Sequence, residues 1–201
     1  MPLDELKFDD AVATLMRYSL MTVADASLSV HRLVQTVTRD RLSDEEREGW
    51  AEAAARLVNE AFPYDSDDVR TWPECSLLLP HALAAAEHAK GLGMAPKATG
   101  RLLNQVGGYL RGRAEFGVAK SAHERALEIG ERAYGPDHPD VAIRVNNLGS
   151  VLQAQGDLEG AKKCTERALG IFRDKLGEDH PNTMTVRNNL DAVEREIGGE
   201  G

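Results

Sequence analysis

The sequence predicts an all-α protein built of stacked helical hairpins, and three observations carry that prediction. Residues 104–145 align with residues 146–187 at a period of 42 without a gap, and fourteen of those positions are identical, a density that marks a repeat architecture. Within each copy the apolar residues recur at helical spacing and stop at glycine-containing turns. Aromatic residues make up only 5% of the chain, whereas Ala and Leu are abundant, a mixture suited to helices that approach through small side chains.

The identities include Asn104/Asn146, Gly107/Gly149, Leu110/Leu152, Ala119/Ala161, Glu124-Arg125-Ala126-Leu127 against Glu166-Arg167-Ala168-Leu169, and Asp137-His138-Pro139 against Asp179-His180-Pro181. Each copy reads as two helices. In the second, Val145, Leu148 and Leu152 form one apolar face, Gly156-Asp157 interrupts it, and Leu158, Ala161, Ala168, Leu169 and Ile171 resume it. Pro139 and Pro181 suit a first helical turn, with Asp or His before them as caps, while Gly135 and Gly177 stop the preceding helix. A third copy starts at Asn188-Asn189-Leu190 and ends after about one helix.

These residues resemble the tetratricopeptide repeat in the 42-residue form of kinesin light chains, whose repeats read like Asn-Asn-Leu-Gly, Gly-Asp-Leu, Arg-Ala-Leu and Gly-x-Asp-His-Pro. The resemblance covers about residues 97–197 and implies an α-α superhelix that binds protein or peptide on its concave face. The chain departs from the pattern at Thr165, where a bulky apolar residue is usual, and at Asp191, where a small one is. With no second helix after it, Asp191 is expected to face water, as a capping helix allows.

Ahead of the repeats, residues 44–61 read as an amphipathic helix running from an acidic first turn, Asp44-Glu45-Glu46, through Trp50, Ala53, Leu57 and Val58 to a stop at Pro63. Residues 68–92 contain a degenerate unit in which Ala82-Leu83 and Glu87 echo Ala126-Leu127 and Glu131, with Pro73 at a helix start and Pro80 expected to kink or split the helix. In the first 43 residues a helix at Asp9–Arg17 precedes two short apolar segments, Ser19–Val23 and Ser27–Val30, joined at Ala24-Asp25-Ala26, which read as a hairpin. A helix from about His31 to Leu42 follows, with Leu33, Val34 and Val37 on its expected buried side.

That helix, hairpin and helix resemble the end of the winged-helix domain of signalling ATPases of the NB-ARC (STAND) class, through Arg17–Leu20, Leu28–Gln35, Trp72-Pro73-x-Cys75 and Leu78–His81. The resemblance places His31 where the family has a Met-His-Asp motif whose His senses the phosphates of bound ADP. Here Val30 and Arg32 replace the Met and the Asp, and no GxxxxGK[ST] phosphate loop occurs in the sequence. His31 is therefore the family's nucleotide-sensor position without a nucleotide to sense, and the chain resembles the C-terminal portion of a larger ATPase switch or a standalone remnant of one.

The charge balance narrows the function classes. With 24 Lys+Arg against 33 Asp+Glu the chain carries -9, so no overall positive field draws in nucleic acid. No apolar run approaches the length of a membrane span, and the N-terminus lacks a basic region followed by an apolar stretch. Cys75 and Cys164 stand apart without metal or CxxC spacing and read as small buried residues. The carboxylate clusters Glu45-Glu46, Glu128/Glu131 and Asp65-Asp67-Asp68 fall on polar faces or in a loop, and His138 and His180 read as caps. The expectation is a cytoplasmic, non-enzymatic protein with no cofactor, catalytic residue or metal.

The residues with most to say about function are the polar ones on the first helix of each repeat. If Val145, Leu148, Gly149 and Leu152 face the stack, Asn146, Asn147, Ser150 and Gln153 line the hollow, with Asn104, Gln105 and Arg111 before them and Asn188, Asn189 and Arg195 after. An amide both donates and accepts, so a ladder of them can pair with the main chain of an extended peptide whatever its sequence, and arginines add pairing to carboxylates. The competing reading is that one Asn of each pair only braces neighbouring helices. The chain thus divides into a winged-helix-like remnant (1–43), a helical linker (44–95) and a repeat array (96–201). Its expected role is a peptide-binding scaffold with a short groove, of modest affinity or extended by a homodimer. The alternative is the sensor or autoinhibitory arm of an NB-ARC ATPase.

Overall fold

A computed structural model describes residues 5–24, 27–93 and 95–199, and places nine α-helices and one two-stranded hairpin in them. In chain order these are α1 (Glu5–Arg17), β1 (Met21–Ala24), β2 (Ser27–Val30), α2 (Arg32–Arg41), α3 (Asp44–Ala61), α4 (Trp72–Leu92), α5 (Pro96–Gly112), α6 (Phe116–Tyr134), α7 (Pro139–Ala154), α8 (Leu158–Leu176) and α9 (Pro181–Ile197). The chain forms two compact units, Met1–Gly49 and Trp50–Gly201, and the division falls within α3.

In the first unit, α1 ends where Ser19 takes a positive φ of 55° and Leu20 N–H donates back to the Leu15 carbonyl, a Schellman-type closure. That closure moves the start of β1 from the expected Ser19 to Met21. The strands pair antiparallel with Met21 opposite Val30 and Ala24 opposite Ser27; Asp25 and Ala26 of the expected turn lie outside the described residues. His31 caps α2, its Nδ1 accepting from Leu33 N–H at 3.2 Å. α3 opens on a reciprocal capping box that the sequence reading missed: Ser43 Oγ accepts from Glu46 N–H, and the Glu46 carboxylate accepts from Ser43 N–H at 2.9 Å. Those hydrogen bonds hold the Glu46 carboxyl below its ordinary pKa.

Two expectations fail here. No residue of α2 is buried, and Leu33 and Val37 are 63% and 42% exposed, because two short strands offer too little surface to cover the helix. The buried stripe of α3 is Ala51 and Ala55, flanked by Val58 and continued by Phe62 just past the helix end, while Trp50 and Leu57 face out. The apolar pattern of α3 has two candidate faces, and Phe62 decides between them by docking with Cys75 and Ala82 of α4 in the core of the second unit.

α4 also runs unbroken through Pro80. The proline removes one donor, but both Pro80 and Ser76, whose carbonyl loses its partner, lie on the exposed side, so water can satisfy the orphaned oxygen. Ala82, Ala86 and Ala89 form the buried face of α4, and Ala86 packs with Leu103 of α5 and Ala126 of α6. The echo of the repeat in this segment has a physical use: Glu87 pairs with Arg125 at 2.8 Å as Glu131 pairs with Arg167 at 2.7 Å.

The repeats form antiparallel helix pairs, α5 with α6 and α7 with α8, and α9 closes the stack. His138 and His180 start α7 and α9 as His31 starts α2, each accepting from the N–H two residues on. Close approach within a pair rests on glycine. A Cβ at Gly149 would lie 3.1 Å from both Cys164 Cβ and Thr165 Oγ1, and one at Gly107 would lie 2.5 Å from His123 Nε2. Asp191 is exposed on α9. Among the described residues no helix is long and apolar enough to cross a membrane.

This packing makes two glycines diverge on substitution. Gly107→Ala forces the buried His123 ring to move and is expected to destabilise the fold by about 1–3 kcal/mol. Gly170→Ala, where nothing stands within 4 Å of the added carbon, is expected to stabilise by about 0.5–1 kcal/mol. Urea unfolding of the two variants measures both.

Candidate functional site

The first helices of successive pairs, α5, α7 and α9, lie side by side and present an inner face. Its regular feature is an amide ladder. Asn147 Nδ2 donates to Asn104 Oδ1 at 3.0 Å, and Asn189 Nδ2 donates to Asn146 Oδ1 at 3.0 Å. Both asparagines of the middle pair therefore brace neighbours, one forward and one back, which goes further than the competing reading, in which one Asn of each pair does so. The bracing uses part of each amide. Asn147 Oδ1 and Asn146 Nδ2 keep unused hydrogen-bonding capacity, and both residues remain partly accessible.

Over α5 the face is already covered, and by the chain itself. After Phe62 the segment Pro63–Asp68 crosses the inner surface of α5, where the Gln105 side-chain amide donates to the carbonyls of Pro63 and Tyr64. Arg111 pairs with Asp67 at 3.1 Å, the Arg101 guanidinium lies 5.5 Å from the Tyr64 ring centroid, and Ser66 is buried. This corrects the expectation that Gln105 and Arg111 stand open to a partner: Gln105 is buried and Arg111 is paired. The covering depends on Gly108, since a Cβ there would come within 2.9 Å of Ser66 Oγ. One repeat later the same position is Ser150. That Gly/Ser difference was the readable signal for the covering segment, and it carries meaning only once the loop is seen lying on it.

Between the segment and α7 a cavity of about 540 Å³ remains, lined by Asp67, Asn104, Asn147, Ser150 and the edge of His123 among others. His123 is buried with no hydrogen-bond partner at either ring nitrogen. Burial is the largest cause, with the nearby Arg111 charge second, that pushes its pKa down to about 4. Its counterpart Thr165, where the repeat pattern was expected to carry a bulky apolar residue, is satisfied instead: its hydroxyl donates to the Ala161 carbonyl at 2.9 Å.

The other expected site residues spread along the face. Ser150 Oγ donates to the Asn146 carbonyl, Gln153 Nε2 to the Glu196 carboxylate, and Arg195 Nε to the Asp191 carbonyl. Asn188 and Arg195 are exposed. His31 lies in the other compact unit, where its Nδ1 is engaged as a helix cap. Burial pushes the Cys75 and Cys164 thiols up, which disfavours the thiolate either would need as a nucleophile. Among the described residues no three His, Cys, Asp or Glu side chains converge as a metal site would require.

Comparison with known proteins agrees with this geometry. The tetratricopeptide repeat family model matches residues 98–174 and 143–199, about half of the chain, and Domain of unknown function (DUF7779) matches residues 1–47. A nucleotide-binding leucine-rich repeat (NLR)-like protein of Hyaloscypha variabilis is 30% identical over 148 residues, covering 70% of this chain and 14% of that protein. The chain thus spans a small fraction of that relative's length. The crystal structure of BtubC (BKLC) from P. vanneervenii shares the fold, with a TM-score of 0.55 at 18% identity over 78% of this chain and 68% of the other.

The buried His123 generates a pH dependence whose sign follows from its depressed pKa. Above pH 6.5 the residue is neutral in both states; as pH falls from 6.5 towards 4 the unfolded chain takes up a proton that the folded protein resists, so stability drops through that window. The full shift corresponds to about 3 kcal/mol. Urea unfolding at pH 7 and pH 4.5 should show this loss in the wild type and a smaller one in His123→Leu.

Proposed function

The chain belongs to the tetratricopeptide-repeat family, a fold that serves as a protein-interaction scaffold, and from that premise we propose that the inner face of α7 and α9 docks an extended polypeptide. The observation that carries this reading is the chain's own segment 63–68. It lies across α5 as a peptide ligand would, its main-chain carbonyls held by Gln105 and its Asp67 carboxylate by Arg111. Advancing by the repeat period of 42 turns Gln105 into Asn147 and Asn189, and Arg111 into Gln153 and Arg195. The second half of the face therefore carries amides, and at Arg195 a guanidinium, at the same positions, and among the described residues no other segment of the chain hydrogen-bonds to the Asn188 or Arg195 side chain. The amides that brace neighbouring helices still offer a donor or an acceptor to a passing main chain. The scaffold is non-catalytic in this reading, acts in the cytoplasm, and its short groove favours modest affinity or extension by a homodimer.

A second reading draws on the long NLR-like relative and on the exposed Leu28, Leu33 and Val37 of the first unit. In it the chain is the sensor or autoinhibitory arm of an NB-ARC ATPase whose nucleotide domain precedes the hairpin, and peptide docking on the repeats is the input. A phosphate-loop domain encoded directly upstream, co-purifying with residues 1–201, is the finding that would favour it.

Substitutions separate docking from bracing. Asn188→Ala with Arg195→Ala is expected to weaken binding of extended peptides selected from an array by about 1–2 kcal/mol in titration calorimetry, with the unfolding midpoint unchanged. Asn147→Ala leaves Asn104 Oδ1 without its donor and is expected to cost about 1 kcal/mol of stability. Unaltered affinity of the Asn188/Arg195 variant for every selected peptide would refute docking on this face.

A further inference from the structure

The first repeat departs from its neighbours at a position where packing alone predicts an apolar residue. Leu102, Arg144 and Val186 are related by the 42-residue period and all are buried, yet the middle one is an arginine, 6% exposed. The facing helix changes with it. Phe172, which packs in one core cluster with Val186, is replaced one repeat earlier by Gly130. A Cβ at Gly130 would lie 3.0 Å from Arg144 Cδ, and one at Gly100 would lie 3.5 Å from Arg144 Nη2. An apolar pair has thus been exchanged for a glycine-walled slot holding an extended guanidinium.

The slot leaves the charge incompletely satisfied. Arg144 Nη1 donates to the Asp140 main-chain carbonyl at 2.6 Å, but Nε is buried without a partner. Burial pushes the guanidinium pKa down, against the favourable influence of Tyr134 and Asp140. Arg144 opens onto a cavity of about 370 Å³ that continues the groove past Tyr64 and is also lined by Lys97 and Arg101. Lys97 Nζ and Arg144 Cζ stand 5.2 and 5.7 Å from the centroid of the Tyr134 ring, and Arg101 Nε is buried without a partner. Among the described residues no carboxylate oxygen lies within 4 Å of any of the three cations. The acid in the lining, Asp140, faces His138 Nδ1 at 4.0 Å. Three cations against one carboxylate make this a positive cavity on a chain of net charge -9.

We propose that Lys97, Arg101 and Arg144 form an oxyanion-binding subsite at the end of the groove, taking a phosphate or carboxylate group. Two guanidinium groups can each offer paired donors to such a group and the ammonium adds a third charge, while the partly dry setting strengthens the attraction. An anion seated there gives the buried Arg144 the counter-charge that the protein itself withholds. The oxyanion can arrive on an acidic or phosphorylated side chain of a docked polypeptide, which rests on the docking reading above, or as free phosphate, which does not.

Thermal unfolding in inorganic phosphate and in sodium chloride of equal ionic strength tests the subsite. The wild type should be stabilised by phosphate beyond chloride. Gly130→Phe with Arg144→Val, which transplants the apolar pair of the second repeat, should be at least as stable as the wild type in chloride and lose the response to phosphate. Lys97→Gln with Arg101→Gln leaves the core untouched and should weaken phosphate binding by about tenfold or more, so the test stands even if the core variant fails to fold. Labelled octa-alanine peptides with one central serine, glutamate or phosphoserine then identify the source. Preference for the charged peptides, lost in Lys97→Gln/Arg101→Gln, supports a polypeptide side chain; a phosphate response without peptide preference supports free phosphate. Equal responses of the wild type and Lys97→Gln/Arg101→Gln to phosphate overturn the subsite, and peptides that still bind regardless of their central residue would then leave the docking reading in place.

Discussion

The close approach of paired helices at a residue without a side chain is the constraint on which the repeat unit depends. At Gly107 and Gly149 the facing helix comes so near that an added carbon would collide with His123 or press on Thr165. Such proximity lets small residues such as Ala119, Ala126, Ala161 and Ala168 fill the interface completely. It also fixes the position of each first helix relative to the next, and the inner-face amides meet as a result. Asn104 with Asn147, and Asn146 with Asn189, both bond at 3.0 Å, a regularity that only a constant spacing between repeats can produce.

Against that regular background the differences between the two copies become informative. Ser150 becomes Gly108, and a segment of the chain lies in the space. Thr165 becomes His123, and a satisfied hydroxyl gives way to an imidazole with two unpartnered nitrogens. Phe172 and Val186 become Gly130 and Arg144, and an apolar contact gives way to a buried charge. Each exchange breaks a local packing rule in the first repeat and leaves the second intact. All three border α5, at Gly108 beneath Ser66, at Gly107 against His123 and at Gly100 beside Arg144, and Gly108, His123 and Arg144 line the two cavities of the groove. Departures from the most stable choice that cluster in this way are what a working surface requires.

The first unit follows a different logic. It has secure local structure, with a capped α2, a boxed start to α3 and a paired hairpin, but its apolar side chains remain largely exposed. Local hydrogen bonding and core burial are separate requirements, and this unit meets the first without the second. That pattern suits a module that completes its core against other protein.

Periodicity alone determined the helix pairs, their boundaries near Pro139, Pro181, Gly135 and Gly177, and the set of amides that share a face, because these depend on spacing along one chain. It also located the hairpin to within two residues at its first strand. Which face of α3 is buried, why Pro80 leaves α4 intact, and that Gln105 and Arg111 hold residues 63–68 were decided by tertiary structure. Each turns on what a side chain meets across a distance of tens of residues: Phe62 against Cys75, an exposed carbonyl against water, and Gly108 against Ser66. A repeat written in sequence specifies which positions are equivalent, but the neighbours that make equivalent positions behave differently exist only after the chain has folded.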